Sequence, residues 1–210
     1  MMEDKVKFVN WLSPKLRKIL VDMKHDVKGV SIVPIDRHHF KNNPSIVLGK
    51  ERAGIYRNQF NFFGGKAESK GTTLNEKCRI VAETLFDETL EELGLILNEN
   101  LEKCNPYIII HKQSILFLVF IKNLDKDWWL ELMKRRREMN PNLYWKYQEM
   151  SKIEFVPILD IINQQNRDEV SNYVKETINE IAGVFAHSEK EMNSWEVDKQ
   201  VFKDTYNLTL

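Results

Sequence analysis

Apolar residues first fall into helical spacing near the start of the chain. Leu12, Leu16, Ile19, Leu20 and Met23 share one stripe within residues 3–24. Ser13-Pro14 supplies a start signal there, an N-cap followed by proline at a first helical position. Residues 29–35 (GVSIVPI) and 45–52 (SIVLGKER) read as strands, joined through the loop HHFKNNP. Residues 105–121 (NPYIIIHKQSILFLVFI) read as two apolar strands that turn near His111-Lys112-Gln113. Residues 126–139 have helical character and Asn140-Pro141 ends them. KIEFVPI at 152–158 reads as another strand, a further helix is expected over 168–184, and the stretch after His187 is polar and expected to be loosely ordered. Strands interspersed with helices predict a sheet with helices packed on it, α/β or α+β.

Composition narrows this picture without changing it. With 210 residues the chain suits one domain and can bury a core without disulfides. Its 31 Lys and Arg balance 31 Asp and Glu. That balance argues against broad electrostatic capture of nucleic acid and leaves room only for a local basic patch. Two cysteines, Cys78 and Cys104, give neither a disulfide framework nor a zinc set and fit a reducing, cytoplasmic setting. MMEDKVKFVNWL lacks the apolar run of a signal peptide, and the longest apolar stretch, 114–121, is strand-sized, so no membrane association is expected.

The chemistry concentrates in residues 64–95, GGKAESKGTTLNEKCRIVAETLFDETLEELGL. Thr73-Leu74-Asn75-Glu76 fits a capping box, and Gly94 sits where a helix should stop, so one long helix is predicted over 74–93. Phe86, Leu90 and Leu93 form its buried stripe. Glu88, Glu91 and Glu92 stand at i, i+3 and i+4 on a neighbouring face, where like charges repel unless a cation lies between them. Hard divalent cations take oxygen ligands of this kind. A solvated acidic helix face is the plain alternative.

These residues resemble the Nudix box, G-x5-E-x7-R-E-U-x-E-E-x-G-U with U a bulky apolar residue. Gly65 matches the opening glycine, Glu88 the glutamate after the arginine, Glu91 and Glu92 the pair, and Gly94-Leu95 the close. Residues 52–66 resemble the family's strand and substrate loop, and 149–157 its late strand preceded by a loop glutamate. The resemblance covers about residues 29–185. It implies a Nudix-like α/β/α sandwich with a mixed central sheet and added N-terminal and C-terminal helices. The domain then occupies 29–186, after an N-terminal helical extension at 1–28 and before a polar tail at 187–210.

Three departures stand out. Gly65 to Asp87 spans 22 positions where the family has 14, so the helix is lengthened at its N-terminus or the loop before it is enlarged. Asp87 replaces the family arginine while Arg79 stands eight positions earlier, so an exchanged pair is expected if the chain is not helical throughout from 79 to 87. Phe63 replaces a proline, Thr89 an apolar residue, and Glu68, Glu76 and Glu83 are the candidates for the missing first glutamate.

By the resemblance, Glu88, Glu91, Glu92 and the Gly65 carbonyl hold Mg²⁺ or Mn²⁺, and Glu92 or Glu149 serves as general base. Arg52 and Arg57 pair with phosphate oxygens, and Phe60, with Tyr56, Trp145 and Tyr147, is a candidate to stack on a base. The substrate is then a nucleoside diphosphate derivative, cleaved by water at the diphosphate, and a homodimer fits the family habit. Capped RNA is the alternative, tracked by Lys134-Arg135-Arg136-Arg137 beside Trp128-Trp129. A binding or regulatory protein without catalysis is the third reading, motivated by Asp87 and the missing glutamate. His38, His39 and His187 read as loop histidines.

Overall fold

Side chains alternate strictly between two apolar layers along Ser114–Lys122, the longest strand (β6). Ile115, Phe117, Val119 and Ile121 face one layer, and Leu116, Leu118 and Phe120 the other. This period of two places a sheet in the middle of the molecule with helices on both faces. The structure is a computed structural model that describes residues 2–23, 26–36, 44–69, 72–139, 149–163, 168–188, 193–197 and 199–200. His38, His39, the 38–43 part of the first loop, Gly71, Asn140-Pro141, Trp145 and Tyr147 lie outside the described residues.

The other strands are β1 (Gly29–Asp36), β2 (Ser45–Glu51), β3 (Phe60–Asn61), β4 (Phe63–Lys66), β5 (Tyr107–His111), β7 (Met150–Pro157) and β8 (Trp195–Glu196). They form a mixed sheet with the path β3-β2-β1-β6-β5. β4 pairs with β1, β7 with β2, and β8 with β6. The β1–β6 and β6–β8 pairings are parallel and the rest antiparallel. The helices are α1 (Met2–Leu20), α2 (Leu74–Glu88), α3 (Lys126–Met139), α4 (Ile158–Asn163) and α5 (Asn172–Ser188). α1, α2 and α3 cover one face, and α4 and α5 the other. This is a mixed α+β sandwich. No helix of the described residues is long and apolar enough to cross a membrane.

Four differences from the sequence reading have physical causes. Ser13-Pro14 does not start a helix, since α1 runs from Met2 and carries Pro14 inside it. Proline removes one helical donor, but Phe8, Val9, Leu12, Leu16 and Leu20 are all buried and hold the helix in place across that break. The N-terminal segment is therefore part of the core, with Phe8 against Phe86 at 5.9 Å between ring centroids. The polar tail is not loose throughout either. Trp195 and Val197 are buried, and 195–196 add to β6 as β8. Lastly, α2 is helical only to Glu88, and Thr89–Leu93 continues as a π-turn.

Candidate functional site

Two glycines and one helix end build the site. β4 lies against β1 so closely that a Cβ on Gly64 would sit 2.2 Å from the Val30 carbonyl oxygen. A Cβ on Gly65 would sit 2.0 Å from Glu88 Oε1. Only glycine lets the strand pass between β1 and the carboxylate of α2. The Gly64 N–H donates to Glu92 Oε2 at 2.6 Å, which pins that side chain over β4.

α2 starts where the capping box placed it. Thr73 caps the helix, its hydroxyl accepting from the Glu76 N–H while the Glu76 carboxylate accepts from the Thr73 N–H. β4 ends at Lys66 and α2 begins at Leu74. At its other end Thr89 is fully buried and its hydroxyl donates to the Leu85 carbonyl at 2.6 Å. A threonine bonding back in this way bends a helix. The next turn widens, and the Gly94 N–H reaches back five residues to the Thr89 carbonyl, with Gly94 at φ 78.

This widening decides which carboxylates meet. In an i→i+5 turn each residue advances less around the axis, so i and i+4 stay together while i+3 turns away. Glu88 and Glu92 accordingly share a face and are joined there by Glu149, which precedes β7. One carboxylate oxygen from each of the three lies within 4.8 Å of the others. Glu91, half-buried, is not among the three, against the expectation from α-helical spacing. The Arg52 N–H donates to the Glu149 carbonyl at 2.8 Å and ties Glu149 to the β2–β3 hairpin.

Sequence reasoning missed Glu51. It ends β2, half-buried, and accepts from Asn61 Nδ2 at 2.7 Å. Asn61 Oδ1 in turn accepts from the Ser171 hydroxyl at 2.9 Å, at the start of α5. A polar Asn61 inside the apolar run Phe60–Phe63, next to two glycines, was the available signal. Burial pushes the Glu51 carboxyl up, the Asn61 bond opposes this, and the Glu149 charge adds to it. Glu92 is only 5% exposed. Burial raises its pKa well above the ordinary range, the charge of Glu88 raises it further, the Gly64 N–H opposes, and Glu149 and Glu51 add smaller pushes.

Other expected residues are placed as follows. Arg52 and Arg57 are exposed on the hairpin between β2 and β3, with Arg52 adjoining Glu149 through the backbone. Phe60 is 5% exposed and belongs to the apolar layer under α4 and α5, the face opposite α2. It is not open to a base held at the carboxylates. Tyr56, half-buried, has its phenol pKa raised by burial and then by the Glu51 charge, so it adjoins this end of the sheet.

The exchanged-pair idea fails. Arg79 meets Glu83 at 3.5 Å and Asp87 meets Lys5 of α1 at 2.6 Å. Eight residues on one unbroken helix separate Arg79 and Asp87 by ~12 Å. Of the stand-ins for the missing glutamate, Glu76 is occupied in the capping box, Glu83 by Arg79, and Glu68 is exposed. The residues of the supposed RNA platform do not share one exposed face. Trp128, Trp129 and Arg136 are buried, and Lys134 and Arg135 pair with Glu131 and Glu138.

No protein-family model matches the sequence, and no curated protein matches it. Among solved structures the chain is similar to an Ap4A hydrolase of C. elegans at 10% identity and TM-score 0.44, over 76% of this chain and 99% of that one. It is similar to a Nudix hydrolase from Alicyclobacillus acidocaldarius at 11% identity and TM-score 0.44, over 75% and 91%. A mutT/Nudix family protein from Listeria innocua aligns at 9% identity and TM-score 0.39, over 79% and 96%.

Proposed function

We propose that this chain is a Nudix-type hydrolase that uses Mg²⁺ or Mn²⁺ to cleave the diphosphate of a small nucleoside diphosphate derivative. The observation that carries the reading is the convergence of Glu88, Glu92 and Glu149 within 4.8 Å beside the Gly64-Gly65 strand. Three hard carboxylates on two separate elements fit a hard divalent cation, whose charge would offset the burial that chiefly lifts the Glu92 pKa and the Glu88 charge that adds to it. When bound, the cation neutralises diphosphate oxygens and acidifies water.

The chain's own residues supply the rest. The Gly64 N–H fixes Glu92, and Gly65, lacking a side chain, leaves room for Glu88 and for a carbonyl ligand beside it. Glu149 is exposed, whereas Glu92 is buried and held, so Glu149 is the better general base. It takes the proton of the attacking water as the new P–O bond forms and the bridging P–O bond breaks. Arg52 and Arg57, projecting from the hairpin tied to Glu149, pair with the outer phosphate oxygens.

The test is turnover with Mg²⁺ or Mn²⁺ of a panel of dinucleoside polyphosphates, nucleotide sugars, nucleoside triphosphates and capped RNA. At least one small nucleotide should be hydrolysed, and Glu92→Gln should lower kcat by roughly 100-fold or more. Tight nucleotide binding with no turnover of any substrate would instead make the chain a binding protein. Turnover of capped RNA alone would restore the decapping alternative.

A further inference from the structure

We propose that Trp129 and Arg136 of α3 are positioning residues that clamp the π-turn and thereby aim Glu92; the catalytic part of this proposal rests on the function proposed above. A helix end leaves carbonyls without partners inside the helix. Here two of them are taken by side chains of another helix. The Trp129 indole N–H donates to the Leu93 carbonyl at 2.9 Å, and Arg136 Nη1 donates to the Leu90 carbonyl. Leu90 and Leu93 bracket Glu91-Glu92 in the chain, so the two bonds fix the Leu90–Glu91 and Leu93–Gly94 peptides, each one peptide beyond those that flank Glu92.

The sequence of α3 is built for this contact. Trp129, Leu132, Met133 and Arg136 stand at i, i+3, i+4 and i+7, one face of a helix, and each is no more than 1% exposed. Between the two donors, Leu132 and Met133 close on Gly94. A Cβ there would lie 3.0 Å from Leu132 Cδ2, 3.1 Å from Met133 Sδ and 3.3 Å from Arg136 Nη1. Gly94 therefore serves two needs, the left-handed φ of 78 and the close approach of α3.

Electrostatics explains why an arginine is buried here. Glu88 and Glu92 stand at the C-terminal end of α2 and its π-turn, where aligned carbonyls are negative and carboxylates are disfavoured. A guanidinium bonded to the Leu90 carbonyl puts a fixed positive charge at that end. Burying a guanidinium is costly, and the negative helix end, whose Leu90 carbonyl accepts from Arg136, offsets part of that cost.

The experiment compares Trp129→Phe, which keeps the ring and loses the donor, with Arg136→Met, Arg136→Lys and Leu132→Ala. Leu132→Ala weakens the same helix contact while keeping both hydrogen bonds. Mn²⁺ affinity, kcat, KM, Tm and amide hydrogen exchange at Gly94 and Leu95 are measured for each. Trp129→Phe and Arg136→Met should weaken Mn²⁺ binding by roughly 10–100-fold and lower kcat, leaving KM nearly unchanged. Exchange at Gly94 and Leu95 should quicken more than exchange in β6, and Arg136→Lys should recover part of each loss. Leu132→Ala should lower Tm without weakening Mn²⁺ binding comparably. The clamp is overturned if both donor variants bind Mn²⁺ and exchange as the parent does, or if Leu132→Ala reproduces their losses. Should Arg136→Met not fold, Trp129→Phe carries the test. If the parent neither binds Mn²⁺ nor turns over nucleotide, the proposed function has failed, and the exchange contrast alone decides the clamp.

Discussion

Gly64 and Gly65 are neighbours with different obligations, and substitution separates them. A Cβ on Gly64 meets backbone, the Val30 carbonyl at 2.2 Å and Ser31 Cα at 2.6 Å, which cannot step aside. Gly64→Ala should therefore destabilise the protein by about 1–3 kcal/mol or more, read as a fall of several degrees in Tm. The nearest atoms to a Cβ on Gly65 are those of the Glu88 side chain, Oε1 at 2.0 Å, Cδ at 2.4 Å and Cγ at 3.0 Å, and no backbone atom is among them. Gly65→Ala should leave Tm nearly unchanged and lower kcat by roughly 100-fold, because a displacement of about an ångström suffices for that.

Glu92 supplies a second test at this scale. Its pKa is raised in the folded protein, so between the ordinary glutamate value and the raised one the native state holds a proton that the unfolded chain has lost. This group's stabilising contribution is thus full below the ordinary value and is lost as pH rises through the raised one. With chelator present, Tm of the parent should decline over that window more than Tm of Glu92→Gln. Added Mn²⁺ should reverse the decline. A parent and variant with parallel pH profiles would contradict the assigned environment. Glu88, Glu92, Gly65 and Gly94 could be singled out one by one because their spacing is local. Glu51 could not, because the pairing of β2 with β7, which sets Glu51 opposite Met150, and the Asn61 bond are what bring it to Glu149 and Glu92.

At the scale of elements, period and caps carried most of the reading. α3 spans the expected 126–139, α2 begins at its capping box, and β5 and β6 turn at Lys112, with φ 55. What periodicity could not show was the change of helix type at Thr89. Glu88, Glu91 and Glu92 look equivalent on an α-helix, and the side-chain bond from Thr89 to the Leu85 carbonyl removes that equivalence. Thr89→Val keeps the shape and deletes the hydroxyl. It should favour an α-helical turn, rotate Glu92 away from the Gly64 N–H, and weaken Mn²⁺ binding by roughly tenfold or more. Retained affinity with unchanged exchange at Gly94 would assign the π-turn to α3 alone.

Across the whole molecule, the sequence separated pieces that the fold joins. Residues 1–28 looked like an addition because their stripe precedes the first strand and no motif reaches into them. Packing makes α1 the outer wall of the site helix. Phe8, Leu12, Leu16 and Leu20 are each at most 4% exposed and enter the core cluster that holds α2, while Lys5 binds Asp87 next to Glu88. Burying four such side chains contributes roughly 6–12 kcal/mol at about 1.5–3 kcal/mol each. A domain of this size has only about 5–15 kcal/mol in total. A chain lacking residues 1–20 should therefore show no cooperative thermal transition. The single substitution Leu12→Ala should lower stability by roughly 2–5 kcal/mol, and Lys5→Met, which breaks only a half-exposed ion pair, by less than about 1 kcal/mol. A truncated chain that melted cooperatively and still bound Mn²⁺ as the parent does would return α1 to the status of an appendage.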